Sequence, residues 1–162
     1  MPQNRIITNL PWLLVNDELG GEIAAGGILL QAKAAAALNI GDCVFVSAAG
    51  TVNKSTTAGD HTEVCGIVVG GRNFERHAIQ RTADVGKAAA ATGGEVFVCI
   101  SGLCYGVAQA GIAVGVSIKP DVTTAGRVLT GTVSTDHGKM VGKAWQNATT
   151  AGDKILVLVS LH

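Results

Sequence analysis

Two places in the chain set an aspartate directly before a histidine, Asp60-His61 and Asp136-His137. An imidazole beside a carboxylate is the arrangement of a general base, or of a metal ligand with its orienting partner. The four side chains together would suit a small metal-assisted hydrolase. Adjacent residues on a strand point to opposite faces, however, so neither pair converges readily on one ion. Both pairs read better as turn and strand-entry residues, and His77 and His162 supply no further partner.

Other chemistries find less support. A serine hydrolase needs its nucleophile on a strained elbow, and no GxSxG occurs; "SAAG" at 47–50 reads as a turn. The glycine-rich stretches "GDHTEVCG" and "GGRNF" lack the Lys-Ser/Thr ending, or the helix, that a phosphate loop requires. Cys43, Cys65, Cys99 and Cys104 show no CxxC spacing, and each lies in a valine-rich, strand-like run. They are expected to be reduced, buried and inert, as in a protein made in a cytosol. The expectation is therefore no catalytic residue, no metal and no cofactor.

The elements that must carry any site are short. Hydrophobic residues make up 48% and charged residues 15%, which fits a folded globular chain. Aromatics are only 4%, while glycine contributes 22 residues, a balance that favours short strands and tight turns over long helices. Twelve basic residues offset twelve acidic ones, so no general field draws in nucleic acid or a membrane surface. The opening residues do not read as a secretory signal. The longest apolar region, 23–40, is broken by Gln31, Lys33 and glycines, which argues against a membrane span.

The first 25 residues differ from the rest. They hold Pro2, Pro11, Trp12 and the apolar pairs Ile6-Ile7 and Leu13-Leu14, and read as an extended N-terminal arm or an edge strand. From residue 26 onward, strand-like runs follow one another: "ILLQAK", "DCVFVS", "EVCGIVV", "EVFVCIS", "LCYGVA", "GVSIKP", "RVLTGTV", "KMVGKAW" and "KILVLVSL". The expected class is all-β, a compact barrel or sandwich of short strands. Ala-rich 34–40 and 84–91 are expected to form short helical turns. The strand "ILVLVSL" is too apolar for an edge facing water, and must be covered on both faces.

These strands fall into two related units. Residues 29–33 echo 103–107, and 37–46 echo 111–120, which places Gly41 over Gly115. Residues 60–69 echo 136–145, placing Gly66 over Gly142, and "TGGEVFVCI" echoes "TAGDKILVLV", with Gly94 over Gly152. The β domain 26–162 thus reads as a pseudo-repeat, 26–70 and 93–161, interrupted by an insertion at 71–92. The insertion carries Arg72, Arg76, Arg81 and Lys87 and reads as a solvated surface loop, with a partner-facing patch as the alternative. The tetrapeptide TTAG, present at 56, 123 and 149, does not follow the repeat and reads as one turn used in several places.

The runs "ISGLCYGVAQAGIAVGVSIKPDVTTAGRVL" and "GKMVGKAWQNATTAGDKILVLVSL" resemble the small phage capsid decoration (cement) proteins. Those chains read as a Gly-led strand, an "AIAxGD" turn, a "TAGRV" turn and an "xxVGxAxxxATAGexVxVxL" finish. The likeness spans residues 26–161, and departs from the pattern where Gly115-Val116 stands in place of the Gly41-Asp42 of the first unit. It implies a structural protein of the virion: a homotrimer at three-fold positions on the outer capsid surface, made in the host cytoplasm. Its partners would be the major capsid protein and itself, and it would stabilise the head passively through many weak contacts. The arm would lie on the shell, with Arg5, Ile6, Ile7, Leu10 and Trp12 as capsid contacts. The alternative is a head- or tail-surface attachment module that stacks a host glycan on Trp12, Trp145 or Tyr105.

Overall fold

In the computed structural model the sequence EVFVCISGLCYGV, read above as two strands parted at Gly102, forms one strand, Glu95–Val107. The model describes residues 22–24, 26–55, 64–72, 79–136 and 138–160. Strand alternation would put Val96 and Tyr105 on opposite faces of a regular strand. A register shift opposite Ile28 and Leu29, together with a φ of 122° at Gly102, resets the phase. Val96, Val98, Ile100, Leu103, Tyr105 and Val107 therefore all meet one core, while Phe97, Cys99 and Cys104 meet a second.

The other strands arrange themselves around this one. They are β1 (Glu22–Ala24), β2 (Gly26–Ala34), β3 (Leu38–Asn39), β4 (Cys43–Ala48), β5 (Thr51–Lys54), β6 (Val64–Gly71), β7 (Ile79–Arg81) and β8 (Ala88–Ala90). The long strand is β9, followed by β10 (Ser117–Pro120), β11 (Val128–Thr130), β12 (Gly142–Ala144) and β13 (Lys154–Ser160). The N-terminal half of β9 pairs with β2, then β5, β4 and β6 follow, and β6 returns to β9. Its C-terminal half pairs with β13, then β12, β10 and β11 follow. A parallel bridge from Ala108 to Val128 brings that second circuit back to the end of β9. The protein is all-β, built as two small barrel-like rings that share a strand. Among the described residues, no helix is long and apolar enough to cross a membrane.

The rings have the same pairing pattern. In each, one contact is parallel, Ala34 with Val52 in ring 1 and Ala108 with Val128 in ring 2, and the named strand pairs of the circuit are otherwise antiparallel. Gly41 donates its N–H to Val68, and Gly115 donates to Ala144; Val68 donates to Asp42, and Ala144 to Val116. Positive φ angles recur at Gly41 and Gly115, Gly50 and Gly126, Gly66 and Gly142, and Gly93 and Gly152. The last pair moves the sequence alignment by one position, because the left-handed turn before each final strand falls on Gly93 and not on Gly94.

Two expectations about the alanine-rich segments are corrected. Residues 34–40 do not form a helical turn; they end β2 and supply β3, which pairs with β8. Residues 84–91 contribute only the last residue of a 3-10 turn, Thr82–Asp84, and then β8. Ala has the better intrinsic preference for helix, but Val85, Ala89 and Ala90 are buried in the first core, and that burial decides. For the same reason, the insertion is more than a solvated loop. Ile40 donates to the Lys87 carbonyl, Gly86 donates to the Ile40 carbonyl, and β7 pairs with β1, the last part of the presumed arm.

β13 shows why the chain tolerates so apolar a strand. Ile155, Val157 and Val159 fill the core of ring 2, and Leu156 on the opposite face packs into the core of ring 1. At about 1.5–3 kcal/mol for each fully buried aliphatic side chain, these contacts dominate local stability.

The close approaches at the β6 and β12 glycines give a sharp test. A Cβ on Gly66 would collide with the Cys99 carbonyl oxygen, and one on Gly142 with that of Leu158; a Cβ on Gly50 would meet nothing. Gly66→Ala and Gly142→Ala should each destabilise by at least about 3 kcal/mol. Gly50→Ala should cost only about 1–2 kcal/mol for its left-handed backbone. Thermal and urea melts of the three variants measure the difference.

Candidate interaction surface

Among the residues singled out for chemistry, Asp136 is described, and its carboxylate is occupied by structure. Oδ1 accepts from Lys119 Nζ at 2.8 Å and Oδ2 from the Thr132 N–H at 2.8 Å, closing the turn between β11 and β12. The Lys119 hydrogen bond is the main reason its pKa lies below the ordinary carboxylate range. Asp60, His61 and His137 lie outside the described residues, as do Arg5, Ile6, Ile7, Leu10 and Trp12. Among the described residues, no group of three or more His, Cys, Asp or Glu side chains is placed to hold a metal ion.

Cys43, Cys99 and Cys104 are buried together in the core of ring 2. Burial pushes the Cys104 thiol well above its usual range, and the neighbouring Cys99 and Cys43 add to the effect. A thiolate is the reactive form, so this environment makes the group inert.

The two TTAG turns among the described residues are held by aspartates; the copy at 56–59 lies outside them. At 123–126, Asp121 Oδ2 accepts from the Thr124 N–H at 2.6 Å and the Thr123 hydroxyl at 2.7 Å. At 149–152, Asp153 Oδ2 accepts from the N–H groups of Thr149 and Thr150 at 2.7 and 2.9 Å. Those backbone hydrogen bonds bring the Asp153 pKa down to about 2.

The turn at 123–126 also locks the rings together. Cys43 donates its N–H to the Gly126 carbonyl at 2.7 Å, and Gly126 donates to Ser55 at 3.1 Å. Gly126 sits so close under the Asp42 carboxyl that an added Cβ would lie 2.6 Å from Oδ1. Asp42 is held there by the Asn39 N–H at 2.7 Å and by Lys54 at 3.2 Å. Burial raises its pKa, against the opposing pull of both partners. Its counterpart in ring 2, Val116, packs against the second core instead. The departure from the "GD" turn thus separates a ring that receives a neighbour from one that does not.

What remains open to a partner is apolar surface. Ile28 and Leu30 fall on the same side of β2 as the buried Ala32 and Ala34, and Val46 on the same side of β4 as the buried Val44, yet they are 62%, 37% and 43% exposed. They are large apolar side chains that ring 1 leaves in contact with solvent. On ring 2, Ser117, Val133, Gly138, Met140, Gly142, Lys143, Leu158 and Ser160 line a groove of about 620 Å³. Trp145, directly after β12, is 55% exposed. Tyr105, the other aromatic named for glycan stacking, is buried. Sequence reasoning missed these exposed positions, because Ile28, Leu30 and Val46 look like ordinary core residues of a strand.

In comparison with known proteins, no family model and no curated protein matches the chain.

Two measurements follow. Asp153 titrates lower in the folded chain than the ordinary carboxylate value near 4, so its stabilisation is complete above that value and is lost as pH falls toward 2. Asp153→Ala should therefore lower the melting temperature at pH 7, and the gap from the parent should close between about pH 4 and pH 2. In the folded protein at neutral pH, peptide mapping after iodoacetamide should find Cys43, Cys99 and Cys104 unmodified, and urea should expose all three.

Proposed function

We propose that this protein is a structural component of a phage virion, a capsid decoration (cement) protein that works by binding and not by catalysis. The observation that carries this reading is the exposed apolar side chains of ring 1, Ile28 and Leu30 on β2 and Val46 on β4. Exposed apolar side chains on a protein without net charge favour contact with other protein over contact with nucleic acid. The resemblance of residues 26–161 to the cement proteins supplies the identity of the partner: the major capsid protein, together with further copies of this chain as a homotrimer. Arg5, Ile6, Ile7, Leu10 and Trp12 would then extend the contact across the outer shell, and many weak contacts would stabilise the head through avidity.

A second reading is favoured by one observation, the half-exposed ring of Trp145, which is suited to stacking a sugar. On that reading the protein is a head- or tail-surface module binding a host glycan. Trp145→Ala should then abolish retention on a glycan array, whereas the cement reading expects no retention by the parent.

The cement reading is tested with purified protein and expanded, undecorated phage heads. The expected result is a mass three times that of the chain and co-sedimentation with heads at micromolar concentration. Ile28→Asp should weaken trimer formation, head binding or both by at least about tenfold, the effect of about 1.4 kcal/mol. A monomer that leaves heads bare overturns the reading.

A further inference from the structure

The two rings are alike in pairing but not in what covers their outer faces. In ring 1 the outward residues Cys43, Ile67 and Cys99, on β4, β6 and β9, are fully buried in the second core. The corresponding positions of ring 2, on β10, β12 and β13, are Ser117, Lys143 and Leu158. Here they line the open groove, with Val133 and Met140 on its wall. The fold thus repeats a face that is covered in one unit and leaves its copy bare in the other.

We propose that residues 6–15 of the same chain dock in this groove. The register places Gly26, two residues after β1, in the row that crosses the groove. Gly26 lies opposite Leu103, Leu103 opposite Leu158, Leu158 opposite Lys143, and Lys143 opposite Ser117, in one continuous row across five strands. Neighbouring strands are about 4.8 Å apart, so Leu158 is about 10 Å from the point where β2 begins. Glu22–Ala24 are held in β1 against β7, so the tether is residues 16–21, which span about 20 Å when extended.

The chemistry matches as well. Residues 6–15 carry Ile6, Ile7, Leu10, Trp12, Leu13, Leu14 and Val15, and the acidic pair Asp17-Glu18 follows after Asn16. The groove offers Leu158, Met140 and Val133 to the apolar side chains and the exposed Lys143 ammonium to the carboxylates. Tethering makes the chain's own segment the most concentrated ligand available. The inference does not require the capsid reading; on that reading, the groove holds in the free protein the residues that the shell later takes up.

The chain has two tryptophans, Trp12 and Trp145, so Trp145→Phe makes Trp12 the sole reporter. In this background, the expected result is blue-shifted Trp12 emission, shielded from iodide and unchanged on dilution. Adding Leu158→Lys should restore the emission of a free indole and raise the quenching constant several-fold. Val133→Asp, at a position 60% exposed and therefore tolerant of the change, should do the same with the far-ultraviolet spectrum and melt intact. Trp12 as quenchable in the parent as in a peptide of residues 1–21 overturns the proposal. So does shielding that disappears on dilution, which would assign the segment to another copy. Since no capsid is present, neither outcome bears on head binding.

Discussion

Strand β9 is the constraint on which the molecule depends. It is shared by both rings, and each of its faces is buried in a different core. A strand in that position cannot alternate apolar with polar residues, and its sequence accordingly runs Val-Phe-Val-Cys-Ile before Gly102 and Leu-Cys-Tyr after it. The change of phase at Gly102 keeps each core supplied with side chains along the whole strand. Without it, the residues that fill ring 1 would turn toward ring 2 halfway along.

The sharing explains why the rings behave as one unit. Tyr105 and Leu156 belong to strands of ring 2 but complete the core of ring 1, while Ile67 and Cys99 do the reverse. Each ring is too small to bury a sizeable core alone, and each borrows the outer face of the other. Backbone hydrogen bonds at Gly126 and the packed Asp42 carboxyl fix the junction from the side. Glycines at the closest approaches are set by contact between main chains, so their role is steric before it is one of flexibility.

The broken symmetry is where function belongs. Equal rings would have equal surfaces, yet the described stretch 79–92 of the insertion packs against ring 1, the Asp42 turn fixes the junction, and the groove on ring 2 stays open. That groove, the exposed Ile28, Leu30 and Val46, and a half-exposed Trp145 offer shape and apolar area, with Asp136 and Asp153 committed to turns. That is why a binding role in a virion, stabilising by occupancy, is the function proposed for it.

The sequence by itself determined the class of fold, most of the strands and the existence of two related units. Those features are written locally, in β-branched runs bounded by glycine and in echoes such as Gly41 with Gly115 and Gly66 with Gly142. It did not reveal β5, whose residues Thr51–Lys54 carry little apolar signal, nor the continuity of β9 through Gly102. It misjudged residues 34–40 and 84–91, because alanine's helical preference is weak beside the burial of Ala89 and Ala90. Only the tertiary structure decided which apolar residues stay outside. Ile28, Leu30 and Val46 carry the same pattern as buried strand residues, and their exposure depends on which strands end beside them. Periodicity along a chain reports which face a side chain takes; whether that face is covered is a property of the neighbours the fold brings to it.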